Sequence, residues 1–156
     1  MISIEPTSQA NQYQQLAKQH GTPMLLLDCD VLTQQFNTLS MALPGVELFY
    51  AIKALPHPAA IQTLDALGAN FDIATSGEIE LLRAQKAHPR KTIHTHPIKR
   101  DKDIRDALRF GCTTFVVDNI YEIEKFIEYR HRVGLLIRVS FPNPNTPIDQ
   151  IGRAHV

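Results

Sequence analysis

Residues 48–54 read Leu-Phe-Tyr-Ala-Ile-Lys-Ala, an apolar run that ends beside one charged residue, Lys53. Its length and its aromatic and β-branched content predict a strand that is buried on both faces. Four further runs of this kind follow along the chain. One apolar residue from each aligns at a constant step of 22 residues: Phe49, Phe71, Ile93, Phe115 and Ile137. A step of this length holds a short strand, a helix and two tight loops, so it predicts consecutive βα units of a parallel sheet.

The segments between these runs predict helices. Thr75 and Glu78 form a capping-box pattern at the start of the second helix, and Gly111 is placed to end the third. Isoleucines at helical spacing predict the buried face of the fourth helix: Ile120, Ile123 and Ile127. The predicted strands are residues 48–52, 71–74, 92–95, 114–117 and 135–139.

The residues ahead of the first repeat follow another pattern. Residues 7–20 predict an amphipathic helix, residues 24–28 a strand, and residues 31–43 a second helix. Asp28 and Asp30 stand where acidic side chains cap the start of that second helix. We therefore divide the chain into an N-terminal segment, 1–44, a run of βα repeats, 45–141, and a C-terminal loop and tail, 142–156.

Five βα units are compatible with two α/β architectures. One is a complete doubly wound sheet of the flavodoxin kind. The other is part of a (β/α)₈ barrel, which needs roughly 200 or more residues when closed. The near-constant period favours the partial barrel, because open sheets usually vary their loops. Residues 151–156, Ile-Gly-Arg-Ala-His-Val, stand where a helix is expected. We interpret the barrel as C-terminally truncated and these six residues as an artefactual tail.

Composition excludes several classes of function. Sixteen basic and sixteen acidic residues give no net charge, which argues against a nucleic-acid binder. No apolar run approaches the length of a membrane span, and the N-terminus lacks the pattern of a signal peptide. Cys29 and Cys112 are isolated, as expected of reduced thiols in a cytoplasmic protein. His94 and His96 have a spacing that could suit a metal, but no third ligand is in sight, so we expect no metal site.

Lys53 is the residue whose chemistry stands out. Alternate residues of a strand share a face, so Phe49, Ala51 and Lys53 are expected to point the same way. If that way is the barrel interior, the lysine lies at the carboxyl end of its strand, where barrel active sites lie. A Schiff base or a lowered pKa would make its amine useful as a nucleophile. The structural alternative is a lysine that extends from the strand end into solvent.

Four segments in register resemble one enzyme family. Tyr50-Ala51-Ile52-Lys53 resembles the Y-A-[VIL]-K motif that carries the pyridoxal phosphate (PLP) lysine in the fold-type III decarboxylases, which have an alanine racemase-like barrel. Residues 71–78 resemble their FD-x-A-S-x-x-E segment, residues 96–99 their N-P-x-K, and residues 136–139 their L-R-[IV]. The resemblance covers about residues 20–141. His96 replaces the family's asparagine, and Leu55-Pro56 replaces the asparagine expected after the lysine–alanine pair.

The resemblance implies PLP as the cofactor and Lys53 as the catalytic residue that forms the Schiff base. It implies that Asp72, Glu78, His96 and Arg138 join Lys53 in binding the cofactor. Structural alternatives remain for three of them: Asp72 as an acid at a helix N-terminus, Glu78 as a helix cap, and Arg138 as part of a salt bridge on the rim.

The implied activity is decarboxylation of a basic amino acid, with ornithine to putrescine preferred because of the form of residues 71–74. Lysine or diaminopimelate is the alternative substrate. A non-catalytic relative that binds a protein partner is a further alternative, although such a relative has no need to keep Lys53. The resemblance implies a homodimer for the full-length protein. It also places the phosphate-gripping glycines later in the family's sequence, so the fragment alone is expected to be inactive.

Overall fold

The computed structural model describes residues 8–139. The N-terminal segment contains helices α1, Ser8–His20, and α2, Cys29–Ala42. The Asp28 carboxylate caps α2 by accepting the N–H groups of Asp30 and Val31 at 3.0 and 3.1 Å, and it accepts the Tyr13 hydroxyl at 2.7 Å. These contacts fasten α1 to the start of α2 and confirm the capping role predicted for Asp28.

The strand predicted over residues 24–28 is wrong. The chain there has no regular secondary structure, and its first residues are exposed. A strand forms only where a neighbouring strand supplies hydrogen-bond partners, and no strand within residues 8–139 pairs with this segment.

Five parallel strands form one sheet in the order β1-β2-β3-β4-β5. They are β1 Phe49–Ala51, β2 Asn70–Ile73, β3 Thr92–His94, β4 Thr114–Val117 and β5 Gly134–Ile137. The strands stand where the 22-residue period predicts them, within one or two residues at each end. Sequential order excludes the doubly wound alternative and is the order of a (β/α)₈ barrel.

A helix follows each of the first four strands. The helices are α3 Pro58–Ala66, α4 Ser76–Ala84, α5 Asp101–Phe110 and α6 Ile120–Glu124, with 3₁₀ turns at Ile52–Ala54, Pro89–Lys91 and Ile127–Tyr129. Two predicted helix boundaries are confirmed. The Thr75 hydroxyl accepts the Glu78 N–H at 3.3 Å at the start of α4, and Gly111 ends α5 with φ of 108°. Within residues 8–139, no helix has both the length and the apolar character that crossing a membrane demands.

The isoleucine stripe predicted for the fourth helix is only partly correct. Ile120 and Ile127 are 60% and 55% exposed, whereas Glu122 and Phe126 are buried. The helix ends at Glu124, so Ile127 lies beyond its helical phase. Glu122 points inward because it pairs with the buried ammonium of Lys99, 3.3 Å away. An ion pair therefore sets the rotation of this helix.

The two faces of the sheet are covered differently. Phe71, Ile73 and Phe115 point to one face, where they are fully buried. The same core includes residues from three helices: Ile61, Leu82 and Ile104. Neighbouring residues in a strand point to opposite faces, so Asp72 lies on the other face, in register with Ala51 and Ile93. That face, the inner side of a barrel, is only partly buried.

Candidate active site

Lys53 lies just past the carboxyl end of β1. The strand ends at Ala51, and Lys53 occupies the middle of the 3₁₀ turn Ile52–Ala54. Ile52 is fully buried, and the Tyr50 hydroxyl donates to the carbonyl of Leu55 at 3.2 Å. These contacts anchor the turn on both sides of the lysine, while the Lys53 side chain itself is exposed. An anchored backbone with an accessible amine suits a nucleophile.

Asp72 faces the same side at the end of the neighbouring strand. Its carboxylate oxygen Oδ1 accepts the Thr95 hydroxyl at 2.6 Å. Burial raises the pKa of the Asp72 carboxyl above its ordinary value, and the Thr95 hydrogen bond and the positive charges of Lys53 and Arg138 act in the opposite direction. The Lys53 ammonium and the Asp72 carboxylate are therefore close enough to interact.

Arg138 reaches the same place from β5. Its backbone N–H donates to the carbonyl of Val117 at 2.7 Å, and its guanidinium Nη2 donates to the carbonyl of Thr95 at 3.1 Å. Thr95 thus contacts both Asp72 and Arg138, and the charge of Lys53 acts on Asp72 from the same side. Sequence reasoning missed Thr95, and the available signal was its hydroxyl directly after the strand Thr92–His94, at the edge where the charged residues were expected.

Glu78 and His96 lie in the loops and helix ends that follow β2 and β3. The Glu78 carboxylate accepts the N–H of Ala74 at 2.6 Å, a contact that secures the start of α4. The His96 side chain is exposed, and its Nδ1 accepts the N–H of Ile98 at 3.2 Å. Both side chains thus have local structural contacts, and the role predicted for them in cofactor binding stays a prediction.

His94 does not belong to this group. It points to the helix-covered face, is 1% exposed, and stacks on Phe115 with 5.8 Å between ring centroids. Burial, followed by the charge of Lys99, lowers the pKa of His94 to about 4. Across residues 8–139 no three side chains of the metal-binding types gather into a cluster.

The donor set at the rim suits a carbonyl compound that carries negative charge. An accessible primary amine can condense with an aldehyde. A carboxylate nearby stabilises positive charge on that nitrogen, and a guanidinium favours anionic groups. Aldehyde and phosphate are both features of PLP, so the residues present fit this cofactor.

Comparison with known proteins agrees with the geometry. Residues 29–150 match the family described as "Pyridoxal-dependent decarboxylase, pyridoxal binding domain". The crystal structure of lysine/ornithine decarboxylase from Vibrio vulnificus, complexed with putrescine, superposes with a TM-score of 0.82 at 53% identity, over 87% of this chain and 38% of that one.

Two curated relatives are similar at lower identity. Lysine/ornithine decarboxylase of Selenomonas ruminantium is 29% identical over 86% of this chain and 34% of its own length. Ornithine decarboxylase of Leishmania donovani is 33% identical over 76% of this chain and 17% of its own length. The chain thus spans about a third or less of the curated relatives that it matches.

The parallel sheet in sequence order, the strand-end lysine whose charge acts on Asp72 and the match over residues 29–150 agree with one another. The chain belongs to the pyridoxal-dependent decarboxylases, in the part of those enzymes that binds pyridoxal.

Proposed function

We propose that the protein decarboxylates a basic amino acid, ornithine in preference to lysine or diaminopimelate, with PLP held covalently by Lys53. The observation that carries the proposal is the position of Lys53 just past the end of β1, where its charge acts on Asp72. PLP, when bound, supplies the electron sink for the carbanion that loss of carbon dioxide leaves.

The residues of this chain have distinct roles in the proposal. The Lys53 amine attaches the cofactor and afterwards returns a proton to the product. Asp72, as the anion, holds positive charge on the Lys53 nitrogen, because an opposite charge at short range favours the charged form. Arg138 adds a fixed positive charge on the same rim, which favours an anionic cofactor. Glu78 and His96 contribute contacts from the segments that follow β2 and β3.

The choice of substrate rests on two supports. Residues 71–74, Phe-Asp-Ile-Ala, have the form that is typical of ornithine decarboxylases in the resemblance, and the relatives described above are named for lysine and ornithine. The two substrates differ by one methylene, and a single methylene in a pocket is worth only about 1–3 kcal/mol of discrimination. We therefore expect both substrates to react, with a higher kcat/KM for ornithine than for lysine.

The test uses the whole protein that the gene encodes, and this protein is first loaded with PLP. Release of carbon dioxide is measured from ornithine, lysine and diaminopimelate in parallel. Lys53→Ala should lose the visible absorbance of the bound cofactor and at least about 10³-fold in kcat, whereas Lys18→Ala, at an exposed position on α1, should retain both. Cofactor binding without carbon dioxide from any of the three substrates would refute the decarboxylase proposal. No binding at all would favour a non-catalytic relative.

The family resemblance also supports a cytoplasmic homodimer for the whole protein, which we include in the proposal. Light scattering on the PLP-loaded protein tests the dimer. A monomeric mass with full activity would contradict it.

A further inference from the structure

We propose that Thr95 is a positioning residue that orients the Asp72 carboxylate on the rim that carries Lys53, an inference that rests on the function proposed above. The Thr95 hydroxyl donates to the Asp72 carboxylate, and the Thr95 carbonyl accepts a hydrogen bond from the Arg138 guanidinium. Thr95 thereby joins groups from β2 and β5 into one unit.

Two hydrogen bonds fix Thr95 against β2. Its backbone N–H donates to the carbonyl of Ile73 at 3.1 Å, which extends the β2–β3 ladder one residue past the end of β3. Its hydroxyl donates to Asp72 Oδ1 at 2.6 Å, within the range of a hydrogen bond between a hydroxyl and a carboxylate anion. Because the backbone bond fixes the Thr95 Cα, the hydroxyl can act as a rigid support for the carboxylate.

The carbonyl of Thr95 accepts a hydrogen bond from the second partner, Arg138. Arg138 Nη2 donates to it at 3.1 Å, so the guanidinium reaches across β4, which lies between β3 and β5 in the sheet. Adjacent strands are about 4.8 Å apart, and an extended arginine side chain together with its 3.1 Å hydrogen bond covers two such spacings. One residue therefore sets the separation between the carboxylate and the guanidinium.

The electrostatics of Asp72 make the hydroxyl important. Burial opposes ionisation of this carboxyl, and the Thr95 hydrogen bond is the largest of the influences that oppose burial. The charged groups that act on Asp72 are Lys53, from the turn after β1, and Arg138, from β5; the buried Cys112 thiol also senses its charge. Loss of the hydroxyl should therefore shift the Asp72 titration to higher pH.

The test compares Thr95→Val, which removes the hydroxyl at nearly constant volume, with Thr95→Ser, which keeps it. The first readout needs no cofactor: the whole protein is labelled with ¹³C at the aspartate carboxyls, and Asp72→Asn assigns the signal. The Asp72 midpoint should move to higher pH in Thr95→Val and stay near wild type in Thr95→Ser. An unchanged midpoint in Thr95→Val, or equal shifts in both variants, would overturn the proposal.

The second readout is kinetic, on the PLP-loaded protein. Thr95→Val should lower kcat about tenfold, the effect that one charge-assisted hydrogen bond supports, with KM changed less than about twofold because substrate binding is not its role. Thr95→Ser should restore most of kcat. If wild type fails to attach PLP, the proposed function falls while the carboxyl titration still decides the role of Thr95.

Discussion

His94 is a buried residue whose chemistry conflicts with its surroundings. Neither ring nitrogen has a hydrogen-bond partner among residues 8–139, and the ring is stacked on Phe115. A buried imidazole without partners is held neutral, because protonation would place an uncompensated charge in the core. Folding therefore lowers the pKa of His94 from 6.5 to about 4.

This depressed pKa predicts an acid-sensitive fold. Above about pH 6.5 both states are neutral and the stability is fully present. As the pH falls toward 4, His94 binds a proton in the unfolded state but stays neutral in the folded state, so the stability decreases. At about pH 5 the free energy of unfolding should be about 2 kcal/mol lower than at about pH 7.5. In urea unfolding of the whole protein, His94→Phe should remove most of that difference, and the exposed His20→Gln should not. Equal acid sensitivity of wild type and His94→Phe would contradict this account.

Lys99, unlike His94, is buried with hydrogen-bond partners for its polar group. Its side chain is fully buried, and its Nζ donates to the carbonyls of His96, Pro97 and Val116 at 3.0, 2.9 and 2.7 Å. Glu122 lies 3.3 Å away and also accepts the Lys99 backbone N–H. The ammonium thus fastens the loop after β3 to β4, and we expect its loss to leave several buried acceptors without donors.

Lys99→Met should reduce the free energy of unfolding by about 3 kcal/mol. The matched control is Lys102→Met, which removes an exposed lysine paired with Asp106 one helical turn away and should change stability by less than about 1 kcal/mol. Denaturant unfolding of the whole protein with each substitution gives the comparison. Equal effects of the two substitutions would show that burial of Lys99 is not important for stability.

Three of the four residues at the rim were predictable from sequence, and the fourth was not. Lys53, Asp72 and Arg138 are charged residues at the ends of apolar strands, and parallel strands bring such ends to one edge. Thr95 is uncharged, and its importance comes from two hydrogen bonds to residues 23 and 43 positions away. Contacts at that separation depend on register and side-chain direction, which a local pattern does not specify.

At the scale of elements, the repeats were predicted well because each βα unit carries its own signals. Apolar runs, the Thr75 cap and Gly111 act within a few residues. The two errors, the strand at 24–28 and the phase of α6, both depend on partners elsewhere: a strand needs a neighbour, and α6 turns to bring Glu122 to Lys99.

Gly111 is the helix end most sensitive to substitution. Its φ is 108°, and a Cβ there would lie 2.9 Å from Pro89 Cβ, part of a rigid ring. Gly68 has a similar φ of 83° with no atom within 4 Å of the added Cβ. Gly68→Ala should therefore show the backbone strain alone, about 1 kcal/mol, and Gly111→Ala about 2–3 kcal/mol. Thermal unfolding of the whole protein compares the two variants, and equal losses would show that the Pro89 contact relaxes freely.

At the scale of the whole molecule, the constant period predicted both the sheet order and the class of fold. Equal steps with a helix after each strand favoured right-handed winding in sequence order over the doubly wound alternative. The sheet of residues 8–139 nevertheless has two unpaired edges, β1 and β5, and Leu136 and Ile137 on β5 are 50% and 70% exposed. Exposed apolar strands at an edge favour association.

We therefore expect the 156-residue chain, expressed by itself, to associate or to unfold without a sharp transition. Sedimentation equilibrium should show a mass that rises with concentration, and the unfolding midpoint should depend on concentration as well. A monomer with a sharp, concentration-independent transition would contradict this expectation.

Chemical trapping shows directly whether Lys53 is the residue that holds PLP. The whole protein is loaded with PLP, reduced with borohydride, digested and analysed by peptide mass spectrometry. We expect the reduced pyridoxyl group on Lys53, and loss of the covalent adduct in Lys53→Ala. A stable adduct on another lysine of the wild type, or an adduct that persists in Lys53→Ala at wild-type yield, would contradict this expectation.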